Sequence, residues 1–248
     1  MKLKKYITIT FLFSYFSWGI VIIYTQILNT SFNTSILPII FYILGVISPA
    51  ISAVIINKNL DSKEEFKFFI KNSSIPPKKI SEYFFIFVVT VLFQLIPFYL
   101  IGGEQTRTLL LLLLQFPIYI VIGGLEEIGW RGLMLPELEK RLSLFISTLV
   151  IGVVWSLWHL PLFFIMGTYQ YEFLNFFTFT LNTISFSFVL SVIFYKTRSI
   201  FLCIITHALL NSLSAMFIIK ESLAAELIIL LLSLLLFVLI TSPSRKSQ

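Results

Sequence analysis

Apolar stretches of about 20 residues recur along this 248-residue chain, and that is the length an α-helix needs to cross the hydrocarbon core of a bilayer. Eight such spans are predicted, over 6–28, 36–57, 81–102, 108–125, 143–166, 172–195, 199–219 and 222–241. In lipid every backbone N–H and C=O must find its partner within the protein, so spanning segments are helices or strands of a closed barrel. The alternating ten-residue segments of a barrel are absent. A mean hydropathy of +0.96 and a charged fraction of only 12% exclude an ordinary soluble domain, in which about a quarter of residues are charged. No polar linker divides the chain. The expectation is an all-α polytopic membrane protein, one integral domain over 1–248 with about eight transmembrane helices, its broad partner being membrane lipid.

Basic residues orient the spans. With the N-terminus inside, the cytosolic segments hold Lys2, Lys4, Lys5, Lys58, Lys63, Lys67, Lys71, Lys78, Lys79, Arg131, Lys140, Arg141, Lys196, Arg198, Arg245 and Lys246. Only Arg107 and Lys220 of the 18 Lys and Arg fall outside. This is the split that the positive-inside rule requires, and it puts both termini in the cytosol. The first span is too long for a signal-peptide core and lacks a small-x-small cleavage pattern, so it reads as a retained helix. Topology and contact with anionic lipid account for the net charge of +6, with no nucleic-acid partner implied. Cys203, the single cysteine, can form no intrachain disulfide.

Two polar stretches stand between spans. Residues 58–80 place Phe66, Phe68, Phe69 and Ile70 among lysines, which predicts a short interfacial helix ended by Pro76-Pro77. Residues 132–142 read as a second cytosolic piece. Gln94, Gln115, Asn175 and Asn182, all within or beside spans, read as interhelical hydrogen-bonders. Glu226 reads as reaching water or a neighbouring helix.

Against this background two groups of residues do not suit a hydrocarbon environment. One is Glu126-Glu127 with Arg131. The other is the chain's entire histidine complement, His159 and His207. Ionisable groups at membrane depth are costly, so they pair, face a polar cavity and mark function. Successive helical residues differ by about 100°, so the two carboxylates point apart. Glu127 and Arg131, at i,i+4, can pair in the favourable order, which leaves Glu126 free for chemistry. His207 and Asn211 share a helix face and can aim at one point.

Two chemistries fit. In one, Glu126 and His159 deprotonate a water that attacks a peptide carbonyl, while His207 and Asn211 donate to the oxyanion. In the other, Glu126, His159 and His207 bind one divalent metal, zinc above all, with an open position for water. Residue types leave both open. No His-Glu-x-x-His helix is present, and no serine or cysteine sits in a nucleophile motif. Glu126 lies near the cytosolic end of its predicted span and His159 beyond mid-depth in its own. Their convergence therefore requires a tilted or sunken helix around a cytosol-open polar cavity.

These residues, taken in order, resemble the type II CAAX prenyl endopeptidases and their bacterial relatives, the bacteriocin-processing or Abi proteins. The family patterns are Glu-Glu-x-x-x-Arg, Phe-x-x-x-His and His-x-x-x-Asn. Here they stand as Glu126, Glu127 and Arg131; as His159, with Trp155 in place of the phenylalanine; and as His207 with Asn211. The motif-bearing core spans 108–219. The resemblance implies an intramembrane endopeptidase with Glu126 and His159 activating water and His207 and Asn211 at the oxyanion. Glu127, Arg131 and Trp155 would support the site. Family descriptions include both metalloproteases and metal-independent glutamate proteases. The Ile-, Phe-, Lys- and Asn-rich composition points to a bacterial plasma membrane, and so to a membrane-associated peptide or protein as substrate. The alternative is a non-catalytic immunity or peptide-binding protein that uses the same cavity. An ion carrier is the third possibility, but no internal repeat of the kind carriers show is evident.

Overall fold

The computed structural model describes residues 2–220 and 222–242; Arg245 and Lys246, counted above among the cytosolic charges, lie outside them. The chain runs through α1 (Lys2–Leu28), α2 (Ile36–Val46), α3 (Ser48–Leu60), α4 (Lys63–Ser74) and α5 (Ile80–Ile101), then a short strand β1 (Gly103–Gln105). It continues through α6 (Leu109–Val121), α7 (Glu127–Gly129), α8 (Leu135–Glu139), α9 (Leu144–His159), α10 (Tyr169–Phe173), α11 (Phe176–Thr197) and α12 (Ile200–Met216). Strand β2 (Phe217–Ile219) and α13 (Leu223–Thr241) complete it. The protein is an all-α, multi-pass membrane protein. Among the described residues six helical segments are long and apolar enough to cross a bilayer, and α2 with α3 makes a seventh if that bent pair is one span. The remaining expected span, over 199–219, is α12, which has 17 residues, short of a full crossing.

Helix ends follow local chemistry. Ser62, Thr108, Ser143, Thr168, Asn175, Ser199 and Ser222 each stand at an N-cap and accept from a backbone N–H of the first turn, satisfying donors that the helix itself cannot. Asn175 thus caps α11. The expected span over 36–57 bends by 50° between α2 and α3. Pro49 has no N–H for the carbonyl four residues back, so the helix breaks there. The helix expected within 58–80 is α4, opened by a reciprocal Ser62–Glu65 capping box and finished before Pro76-Pro77. Asn72 fastens it to the turn ahead of α12, donating to Arg198 O at 2.9 Å and accepting from Ile200 N at 3.1 Å.

Three expectations are corrected. The last three residues of the predicted span 199–219 leave the helix and pair antiparallel with β1, Phe217 opposite Gln105 and Ile219 opposite Gly103. The fourth span does not end at 125. Apolar helical structure continues through 109–139, and Leu133, Met134 and Leu135 are core residues. Arg131, counted among the cytosolic charges, is fully buried for the same reason.

The 109–139 segment is not one smooth helix. It breaks at Gly123, where φ is +136°, passes through a 3₁₀ turn over Gly124–Glu126, and takes a π-helical turn over Trp130–Met134. Pro136 explains the wide turn, because it cannot donate to Gly132 O and its ring crowds that carbonyl. Beside this segment, α11 packs against α9, α12 and α13, and α12 against α5 and α6.

Candidate active site

Glu126 lies near the middle of a 31-residue helical segment rather than at its end, and it lines one cavity with residues of α9 and α12. The local backbone makes room for this approach. A Cβ at Gly123 would stand 2.3 Å from Asn211 Nδ2 and 3.2 Å from His207 Nε2, and one at Gly124 would stand 2.8 Å from Ile204 O. Only glycine permits both the positive φ at Gly123 and the contact of this break with α12.

Glu127 and Arg131 pair as their spacing suggests. Arg131 Nη1 is 2.9 Å from Glu127 Oε2 and 3.1 Å from Oε1, with both side chains wholly buried. The guanidinium also reaches α11, where Nη2 donates to Ser187 O at 3.0 Å and Ser187 Oγ at 3.1 Å. Ser187 Oγ in turn donates to Thr148 O on α9. On its other side Glu127 Oε1 stands 2.9 Å from His207 Nδ1. One buried carboxylate therefore joins α7, the π turn and α12, as a buried charge requires if it is to stay ionised.

Glu126 does not share Arg131 with its neighbour, but two indoles hold one of its oxygens. Its Oε2 accepts from Trp155 Nε1 at 2.7 Å and, more weakly, from Trp130 Nε1 at 3.4 Å. Oε1 is the oxygen left for other partners. His159, at the last residue of α9, places Nδ1 2.9 Å from Trp155 O. A carbonyl oxygen only accepts, so Nδ1 carries the proton and Nε2 presents its lone pair.

A cavity of about 220 Å³ collects these groups. Glu126, Trp155, His159, His207 and Asn211 line it together with Gly123, while Trp18, Trp158, Phe179 and Phe186 give it apolar walls. Glu127 and Arg131 are not part of the lining; they lie behind it. Tyr42, Gln170, Asn182 and Ser214 also face the cavity, and none of these was singled out for the site from sequence. Asn182 bridges to Glu226 at 3.1 Å, so Glu226 reaches a neighbouring helix. Gln94 bonds Phe217 O and Ser214, and Gln115 accepts from Arg107. Trp130 could have been noticed at four residues from Glu126. Ser187 and Thr148 carry no sequence signal, because ordinary helix serines and threonines look the same.

Sequence also left open a metal held by Glu126, His159 and His207. Among the described residues no group of three or more His, Cys, Asp or Glu side chains stands together in a metal-holding arrangement. Spaced as they are, Glu126, His159 and His207 do not form a three-ligand zinc site, and no step below passes through a metal.

Residues 106–213, which contain Glu126, Glu127, Arg131, Trp155, His159, His207 and Asn211, match the family described as type II CAAX prenyl endopeptidase, Rce1-like. A CAAX prenyl protease 2 of Methanococcus maripaludis is 41% identical over 95 residues, which make up 35% of this chain and 34% of that protein. The match thus spans about a third of the length of this curated relative. In its membrane helices, its ordered motifs and its sequence likeness, the chain is similar over residues 106–213 to the type II CAAX prenyl endopeptidases.

Proposed function

We propose that the protein is an intramembrane endopeptidase that hydrolyses a peptide bond of a membrane-associated protein or peptide, in the manner of a CAAX protease. The observation that carries this reading is the meeting of Glu126, His159, His207 and Asn211 on one cavity, with His159 Nε2 left as a lone-pair acceptor. A water between Glu126 Oε1 and His159 Nε2 gives its proton to the carboxylate and adds to the scissile carbonyl carbon. Asn211 Nδ2 donates to the oxyanion that forms. His207 joins it through Nε2–H when both ring nitrogens are protonated, its charge then balanced by Glu127. Collapse of the tetrahedral intermediate breaks the C–N bond, and Glu126 returns the proton to the departing amine.

The aromatic walls suit apolar side chains next to the scissile bond, and the likeness to a CAAX prenyl protease of Methanococcus maripaludis makes a prenylated CAAX peptide the first substrate to test. Purified protein in liposomes is given a farnesylated CAAX reporter and its unprenylated counterpart. Wild type is expected to cleave at least the prenylated form, and Glu126→Gln to lose about 10²- to 10⁴-fold in kcat. Undiminished cleavage by Glu126→Gln would sink the reading. A chelator is expected to leave the rate unchanged; loss of activity restored by stoichiometric zinc would assign the water to a metal instead.

A further inference from the structure

Trp155 contacts Glu126, His159, His207 and Arg131. Its indole N–H donates to Glu126 Oε2 at 2.7 Å, the shorter of the two bonds that carboxylate receives. Its backbone carbonyl accepts from His159 Nδ1 at 2.9 Å. The indole ring stands edge-on to His207 at 5.2 Å between centroids, and the Arg131 guanidinium lies 5.6 Å from it. The residue itself is 3% exposed. An aromatic side chain in this place could simply fill space, and a phenylalanine would do that equally well. What a phenylalanine lacks is the N–H.

The geometry points to Trp155 as a positioning residue that sets both water-activating groups with its two ends, an inference that rests on reading Glu126 and His159 as those groups. Glu126 sits at the end of a 3₁₀ turn on the broken segment, whereas His159 ends α9. No direct bond joins them. The indole N–H ties the carboxylate to α9 and turns Oε1 toward the cavity, while the carbonyl of the same residue fixes the tautomer and ring plane of His159. A short hydrogen bond to a buried carboxylate is charge-assisted and directional, and a supporting partner of this kind governs how a reactive group is aimed. Removing the N–H lets Glu126 swing about its side-chain bonds, and the pair then holds water in the productive geometry for a smaller fraction of the time.

The test separates N–H from ring. Trp155 is replaced by Phe and, through an expanded genetic code, by benzothienylalanine, whose fused ring keeps the shape of indole but carries sulfur in place of N–H. With the farnesylated reporter in liposomes, both variants are expected to lose about ten- to a hundredfold in kcat, with KM within about twofold. A benzothienylalanine protein as fast as wild type would leave only packing for Trp155 and overturn the inference. Glu126→Gln, run alongside, decides the underlying reading separately: if that variant cleaves normally, the fault lies there and not with Trp155. A second measurement needs no substrate. The chain has four tryptophans, so ¹⁵N-indole-labelled protein in micelles gives four N–H resonances, with Trp155 identified by its loss in Trp155→Phe. That resonance is expected to move upfield in Glu126→Ala as the carboxylate acceptor disappears. A peak that stays in place would overturn the inference regardless of activity.

Discussion

Glu127–Arg131 and Glu137–Lys140 lie on the same stretch of chain, each an acid followed by a base about one helical turn later. The first pair is 0% exposed on both sides and is tied to α11 and α12. In the second, the lysine side chain is 65% exposed and bonds only Glu137. Spacing alone does not distinguish them. What differs is the solvent each charge has lost: the buried pair has exchanged all its water for Ser187 and His207, while in the outer pair Lys140 keeps most of its water beside a Glu137 side chain that is 16% exposed. The same motif is therefore a structural joint in one place and a surface detail in the other.

Removing one partner tests this most severely. Arg131→Ala leaves Glu127 buried beside an unsatisfied Ser187, and a loss of about 3–5 kcal/mol in stability is expected, read as a large fall in thermal midpoint and in folded yield from micelles. Arg131→Lys should recover only part of it, because an ammonium cannot serve Glu127 and Ser187 as the planar guanidinium does. If Arg131→Ala melted with wild type, the buried pair would belong with the surface pairs and the contrast would collapse.

Next in size is Gly123→Ala. The buried network depends on a backbone break that brings Glu126 and Glu127 to α12, whereas the Glu137–Lys140 pair needs only its own helix. An added Cβ would press on Asn211 Nδ2 and strain a φ of +136°, so a loss of about 1–3 kcal/mol is expected, with a fall in kcat because Asn211 is displaced. A variant with wild-type stability and rate would show that the break can relax without disturbing the site. Lys140→Ala should cost no more than about 0.5 kcal/mol, and the same thermal measurement would sharpen the comparison by how close to zero it falls.

The contrast also explains what could be read from the chain beforehand. Helices announce themselves through apolar length and through caps such as Ser143 and Ser199, and site residues through being polar where the chain is otherwise oily. The continuation past residue 125 is less visible. Arg131 and Glu137 look alike as charges after an apolar run, and only tertiary contact with α11 tells that Arg131 is inside. The π turn at Trp130–Met134 follows from Pro136, a signal equally compatible with a helix end. The indole of Trp130 was hidden differently, and Trp155 was marked only by its place in the family pattern, not by its N–H. Tryptophan in a membrane helix reads as packing, and its single N–H becomes chemistry only where a carboxylate from another segment stands 2.7 Å away.

The smallest effect concerns a carboxylate wholly in water. At the start of α4 the Ser62 backbone N–H and hydroxyl both point at Glu65 Oε2, at 2.9 and 2.8 Å, and these bonds hold the Glu65 carboxyl below its usual value of 4.5. A carboxyl lowered in the folded state stabilises it above the unfolded value, and this contribution disappears as pH falls through the lowered folded value. Amide protection at the first turn of α4 should therefore be flat from neutral pH down to about 5 and decline below the ordinary carboxylate range, while protection in the 124–139 core holds. In Ser62→Ala the capping bond from the Glu65 amide is gone, so protection at this turn should be low at every pH and its acid-dependent decline much reduced. If the first turn of α4 kept its protection in acid as firmly as the core does, the exposed carboxylate would be contributing nothing that titrates, and the line between buried and solvated acids drawn here would have to be moved.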